Sequence, residues 1–263
     1  MSEASPAILS VRGLCCHFGG LRAVDGLDLD VPRGGILALI GPNGAGKSTT
    51  INLLTGALRP SAGSIRLDGV ELAGKAAHVV ARAGMVRTFQ NGRLFARLSV
   101  LENVLVGADS RLRAGLAASL LRLPGFRAEE AALVAHAGGL LGRLGMAQDA
   151  AREVGTLPYG SQRRLEIARA LISRPKLLLL DEPAAGLNAA EVAELGRLIL
   201  QLRQDGLSVL LIEHNMGLVM RLADHITVLN FGRRIASGTP QAVRDDPRVV
   251  EAYLGRRAAD ARV

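Results

Sequence analysis

The chain has no tryptophan, two tyrosines and five phenylalanines, so aromatics make up 3% of its 263 residues. Its core must be built from aliphatic and alanine side chains, which a hydrophobic content of 49% supplies. Nothing in the sequence resembles the basic, aromatic strand on which nucleic-acid bases stack. Long apolar runs are also missing. Mean hydropathy is positive, at +0.25, yet no stretch reaches the roughly 18 apolar residues of a spanning helix. The run Leu177–Leu180 is bounded by Lys176 and Asp181. The opening residues Met1-Ser2-Glu3-Ala4-Ser5-Pro6 lack a basic segment leading into an apolar one, so no secretory signal is read and a cytoplasmic compartment is expected. The two cysteines, Cys15 and Cys16, are neighbours, which makes a structural disulfide between them improbable on geometry. With only His17 beside them, a metal site is short of ligands, and they read as reduced cysteines on a strand.

Lysine is the scarcest cation. Of 32 basic residues only Lys47, Lys75 and Lys176 are lysines, and the other 29 are arginines. Lys47 lies in Gly41-Pro42-Asn43-Gly44-Ala45-Gly46-Lys47-Ser48-Thr49, which fits the phosphate-cradling pattern G-x-x-x-x-G-K-[ST]. The ligand implied is a nucleoside triphosphate with magnesium. A compact ammonium on a flexible stem reaches between the β- and γ-phosphates where a planar guanidinium would not fit. The loop offers backbone N–H groups to anionic oxygens, and the following helix adds its positive end. The net charge of +8 has two readings. One is nucleic-acid binding; the other is a protein that binds an anionic nucleotide near an anionic membrane.

Ile8–Phe18 and Leu27–Val31 alternate as strands, with Gly19-Gly20 as the turn between them. Ile36–Ile40 is a continuous apolar run and reads as a buried strand leading into the glycine loop, and Ser48–Thr55 follows as a helix. Strand, loop, helix is the context the phosphate motif needs. Ser64–Leu67 and Met85–Phe89 read as further strands. From Ser99 to Gly145 leucine, alanine and arginine dominate with a helical period, broken at Pro124-Gly125. Gly160–Ser173 and Ala189–Gln204 read as helices. Leu177–Leu180, Leu207–Ile212, His225–Asn230 and Arg234–Ser237 read as strands. The pattern is an α/β core with an inserted helical region.

Asp181 ends a buried apolar strand downstream of a phosphate loop, the placement of a second magnesium ligand. Glu182 follows it, where a carboxylate can polarise an attacking water. Between the two elements lies Leu157-Pro158-Tyr159-Gly160-Ser161-Gln162-Arg163-Arg164-Leu165. This resembles the signature motif of ABC-type ATPases. Further marks fall in the family's order. Gln90 resembles the Q-loop glutamine, Ala184–Asn188 the D-loop, His214 the switch histidine and Phe18 the adenine-stacking aromatic. The resemblance covers about residues 8–255. It implies a P-loop NTPase fold of the ABC ATPase type, with a mostly parallel core sheet, an N-terminal antiparallel β subdomain and an α-helical subdomain inserted at about 95–160. Residues 1–7 and 256–263 are expected to be tails.

The resemblance assigns roles residue by residue. Gly41–Thr49 would hold ATP, with Lys47 on the β- and γ-phosphates. Ser48, Gln90 and Asp181 would hold Mg²⁺. Glu182 would activate water and His214 would contact the γ-phosphate. Val86–Gln90, Arg93-Leu94-Phe95, Asp181–Asn188 and Pro247…Ala252-Tyr253-Leu254 resemble in particular one of the two ATP-binding subunits of branched-chain and hydrophobic amino acid importers. That type implies a second ATP-binding subunit in a heterodimer, two membrane permease subunits and a solute-binding protein. It places the chain peripherally on the cytoplasmic face of the inner membrane and implies no nucleic-acid partner. Alternatives are an importer of urea or short amides, and a soluble ABC-type ATPase acting on nucleic acid or ribosomes. Three positions depart from the family's Leu-Ser-Gly-Gly-Gln: Pro158, Tyr159 and Ser161. Asn188 and Asn215 stand where aspartate is common. Pro158 has neither a side-chain hydroxyl nor an N–H, so the nucleotide it would face on a partner is expected to turn over slowly.

Overall fold

The computed structural model describes residues 7–88, 94–108 and 124–260, with side chains outside the description at 124–127 and 254–260. The chain divides into two compact units, Met1–Arg87 with Lys176–Val263, and Thr88–Pro175.

The first unit opens with a hairpin of β1 (Ala7–Phe18) and β2 (Leu21–Pro32), followed by β3 (Ile36–Ile40), α1 (Lys47–Leu54), β4 (Ala62–Leu67), β5 (Val70–Glu71), α2 (Ala77–Ala83) and β6 (Met85–Arg87). Strands β1, β2, β4 and β5 form an antiparallel sheet in the order β2-β1-β4-β5. β2 begins six residues earlier than its alternation predicts. Its first half contains Asp25 and Gly26, poor strand formers. Neither is paired with β1: they fall in the register shift between the Leu14–Leu27 and Cys16–Val24 pairs, with Gly26 in left-handed backbone at φ 67° and the Asp25 N–H donating to the Gly232 carbonyl.

In the second unit α3 (Val100–Val106) opens on a capping box. The Ser99 hydroxyl accepts the Glu102 N–H, and the Glu102 carboxylate accepts the Ser99 N–H at 2.7 Å. The buried Asn103 side chain ties down the preceding turn, accepting from the Phe95 N–H and donating to the Phe95 carbonyl. α4 (Pro124–Arg143) begins at the Pro-Gly pair, so what reads as a break is a helix start, where proline's fixed φ is favourable. α5 (Tyr159–Leu171) completes the unit.

The chain returns to the first unit with β7 (Leu177–Asp181), α6 (Ala189–Gln204), β8 (Ser208–Ile212), α7 (Met216–Leu222), β9 (His225–Asn230), β10 (Arg233–Gly238), α8 (Pro240–Arg244) and α9 (Pro247–Asp260). Its second sheet has the order β10-β9-β3-β8-β7-β6. Five strands run parallel and β10 is an antiparallel edge. Every residue of β3, β7 and β8 is buried, as expected of central parallel strands covered on both faces. Each fully buried leucine or isoleucine there stabilises the fold by about 1.5–3 kcal/mol. On α6, Val192, Leu195, Ile199 and Leu202 recur at helical spacing and are buried. Because β8 lies between β3 and β7, the loops leaving their carboxyl ends are neighbours. That edge is where parallel sheets present ligand sites.

Candidate functional site

The loop after β3 wraps the amino end of α1. Gly46 holds the position before the helix at φ 104°, and a Cβ there would stand 2.5 Å from the Ala23 carbonyl oxygen. Only glycine allows that approach. The Gly41 and Pro42 carbonyls accept hydrogen bonds from Lys47 Nζ at 2.6 and 3.0 Å. Lys47 is 8% exposed, so its ammonium is aimed along the loop. Ala45 is buried and its carbonyl accepts the Gly232 N–H. Asn43, Gly44, Gly46, Ser48 and Thr49 face a cleft of about 420 Å³ that Glu182 also lines.

At the end of β7 the buried Asp181 carboxylate accepts a hydrogen bond from Arg87 at 2.6 Å, and the same guanidinium donates to Asn52 on α1 at 2.7 Å. Glu182 stands at φ 48°, left-handed backbone rare outside glycine. Its N–H donates to the Ile212 carbonyl at 2.9 Å, and its own carbonyl accepts from Ala185. Such strain clusters where a side chain must be aimed. His214 Nδ1 lies 3.9 Å from Glu182 Oε2.

Glu213, 1% exposed, joins these two loops. Its carboxylate accepts from the Ala184 N–H at 2.8 Å, from the His214 N–H at 3.0 Å and from the Asn215 N–H at 3.1 Å. Asn188 and Asn215 cap α6 and α7. Asn188 Oδ1 accepts from the Ala190 and Glu191 N–H groups, and Asn215 Oδ1 from the Leu218 N–H. The carboxamides therefore do the capping work of the aspartates the resemblance leads one to expect.

Phe18, half exposed, lines the same cleft. Leu21, Arg22, Ala23 and Phe231 join it there. Phe231, 80% exposed at φ 46° in the β9–β10 turn, is a second aromatic that sequence reading missed; an isolated phenylalanine beside Gly232 carries no motif. Tyr253 on α9 meets the phosphate loop. Burial raises its phenol pKa, while the Gly41 N–H bonded to its oxygen works the other way. Gln90 lies outside the described residues.

The exposed Ser48 hydroxyl, on the first turn of α1 and lining the cleft, and the buried carboxylate of Asp181 at the end of β7 are hard oxygen donors of the type magnesium takes. On α5, within the other unit, Pro158 occupies the cap position without a side-chain bond. The Tyr159 hydroxyl accepts from Arg163, whose guanidinium also lies 4.9 Å from the tyrosine ring centroid and pairs with Glu166 at 2.9 Å. Burial raises the Glu166 pKa, and Arg163 opposes it. Tyr159 is thus part of a packed aromatic and ionic cluster.

A family model described as ABC transporter matches residues 24–185, and one described as branched-chain amino acid ATP-binding cassette transporter matches residues 233–259. The chain is 49% identical to the high-affinity branched-chain amino acid transport ATP-binding protein BraF of Pseudomonas aeruginosa, over 95% of this chain and 99% of that protein. It is 47% identical to LivG of Escherichia coli, of the same description, over the same shares. Among solved structures it resembles the ADP conformation of MJ1267, an ATP-binding cassette of an ABC transporter. There the TM-score is 0.85 at 33% identity, covering 95% of this chain and all of that one. A nucleotide-free cassette from an ABC transporter matches with a TM-score of 0.83 at 32% identity, covering 94% and 99%.

Proposed function

We propose that this chain, which belongs to the ABC transporter family, is the ATP-binding and ATP-hydrolysing subunit that energises an importer of branched-chain and other hydrophobic amino acids. One observation carries the reading. The loops after β3, β7 and β8 bring Lys47, the Asp181–Glu182 pair and His214 to one edge of the sheet. The relatives' description supplies the solute class.

Residue roles follow from the chemistry. The N–H groups of Gly41–Thr49 and the Lys47 ammonium hold the β- and γ-phosphates. Phe18 and Phe231 flank the base. Glu182 accepts a proton from the attacking water, and His214 donates to the γ-phosphate. Ser48 and Asp181 would hold Mg²⁺, which neutralises phosphate charge; Gln90 belongs with them by resemblance. Arg87 already bonds the Asp181 carboxylate, so it would compete with a bound metal for it.

No helix among the described residues is long and apolar enough to cross a membrane, which suits a peripheral subunit on the cytoplasmic face of the inner membrane. Its partners are membrane permease subunits, two in number, a second ATP-binding subunit in a heterodimer, and indirectly a solute-binding protein. In the heterodimer the nucleotide on Lys47 meets the partner's signature, while the partner's nucleotide meets Pro158–Ser161 and turns over slowly. Reconstitution with the permease subunits tests the assignment. Leucine presented by the binding protein is expected to stimulate ATP hydrolysis. Stimulation by urea or short amides alone, or recovery of the chain only with ribosomes or DNA, overturns it.

A further inference from the structure

We propose that Cys15, His17 and Asp25 form a binding site for a thiophilic divalent cation of the zinc class. Cys15 and His17 stand two apart on β1 and so point to one face of the sheet, while Cys16 between them is buried on the other. The hairpin folds Asp25 of β2 against them. One ligand atom from each of the three lies within 4.8 Å of the others. Donors around a tetrahedral zinc stand about 3.3–3.7 Å apart. His17 is exposed and Cys15 partly so, which leaves their side chains room to close that difference.

Two guanidiniums fix the orientation of the Asp25 carboxylate. Asp25 accepts from Arg233 Nε at 2.9 Å, Arg233 Nη2 at 2.7 Å and Arg22 Nη1 at 3.4 Å, all on Oδ2. Among the described residues, Oδ1 accepts none of these bonds, so the carboxylate is oriented with one oxygen to offer. The Gly26 N–H donates to Cys15 Sγ at 3.2 Å, which helps fix the sulfur in place. The thiol itself leans on the Gly13 carbonyl at 3.5 Å. Metal binding replaces the thiol proton, which passes to solvent, and forms the sulfur–metal bond. Sulfur, imidazole nitrogen and one carboxylate oxygen are a borderline-soft set that suits zinc and not magnesium, with water as fourth ligand. Sequence reading counted only His17 beside the cysteines; the third ligand comes from across the hairpin.

The test is a titration of the purified full chain with Co²⁺, without nucleotide, followed by displacement with Zn²⁺. The expected result is a thiolate-to-cobalt charge-transfer band saturating at one ion per chain and bleached by zinc. C15S and H17A each remove the band and weaken zinc binding by at least about tenfold. C16S and E182Q retain the band, which separates the hairpin from the nucleotide cleft. Thermal melts establish that the variants are folded, and calorimetry in buffers of different ionisation enthalpy detects the released proton. A cobalt spectrum without a thiolate band overturns the proposal. So does zinc binding that survives C15S and H17A at full affinity, or that is lost equally in C16S.

Discussion

Arg87 at the end of β6 and Asp181 at the end of β7 share a buried ion pair 2.6 Å long, on neighbouring parallel strands. Their side chains are 15% and 6% exposed, and the carboxylate is the one assigned to magnesium above. The guanidinium also reaches Asn52 on the helix that follows the phosphate loop. One cation therefore links the nucleotide-side helix to the metal-side strand. Removing it leaves a buried carboxylate without its principal partner. R87A is expected to lower stability by about 3 kcal/mol. Mg²⁺ with ATP should then raise the melting temperature more in R87A than in the wild type, because the metal replaces the missing charge. Differential scanning fluorimetry with and without Mg²⁺–ATP checks this; equal increments would sink the competition argument.

Gly46 is held at φ 104° against the Ala23 carbonyl. A methyl group there meets rigid backbone in a conformation that L-residues avoid. G46A is expected to cost about 1–3 kcal/mol in backbone strain alone and to displace the loop from β2. Nucleotide binding, read by fluorescence of a labelled ATP analogue, should fall well beyond the change in melting temperature.

Glu182 is expected to be the proton acceptor for the attacking water. E182Q should lower ATP hydrolysis by about 10²–10⁴-fold while retaining nucleotide binding. In the proposed heterodimer the loss should exceed that from the equivalent change in the partner subunit, since there this chain's Lys47 would face the unaltered signature. Equal losses from the two single substitutions would refute the asymmetry.

Glu213 holds three backbone N–H groups on both sides of the Glu182–His214 pair. An amide can accept on one oxygen only and turns donors towards donors. E213Q should cost about 2 kcal/mol for each charged hydrogen bond lost. It should also reduce kcat with little effect on nucleotide affinity. A fall in affinity with unchanged kcat would remove Glu213 from the positioning of the hydrolytic pair.

Asp68 in the β4–β5 turn has its carboxyl held below the ordinary value of 3.8, chiefly by the Lys176 hydrogen bond at 2.6 Å and then by Arg33. A pKa lowered in the folded state contributes stability above the unfolded value. That contribution is lost as pH falls through the lowered one. The melting-temperature difference between wild type and D68N should therefore be constant above roughly pH 5 and shrink in acid below it. Asparagine tolerates the left-handed backbone at this turn, φ 52°, so the comparison isolates the charge. A difference that widens in acid would contradict the assignment.

Much of the core was legible because its chemistry is local. Ile36–Ile40, Ala189–Gln204 and His225–Asn230 have the predicted bounds, since unbroken apolar runs and helical spacing need no knowledge of neighbours. The first half of β2 was not legible, because Asp25 and Gly26 interrupt the strand pattern and form a bulge between the Leu14–Leu27 and Cys16–Val24 pairs. The same limit applies to the site. Lys47 and Asp181 announce themselves by spacing. Arg87, Glu213 and Phe231 act through groups distant in the chain, or through a turn without a pattern, and only the folded sheet brings them in. Asp25 beside Cys15 and His17 is the clearest instance: the bulged register of the hairpin places it there.

The asparagine caps of α6 and α7 also settle a question of charge. Asn188 and Asn215 supply the oxygen each helix end requires while adding no negative charge of their own. Aspartates at these two positions would add two negative charges to the loops that leave β7 and β8, the edge of the sheet on which the nucleotide is proposed to bind. Such a surface should tolerate millimolar swings in ionic strength with a smaller change in nucleotide affinity than a chain carrying aspartate at both positions.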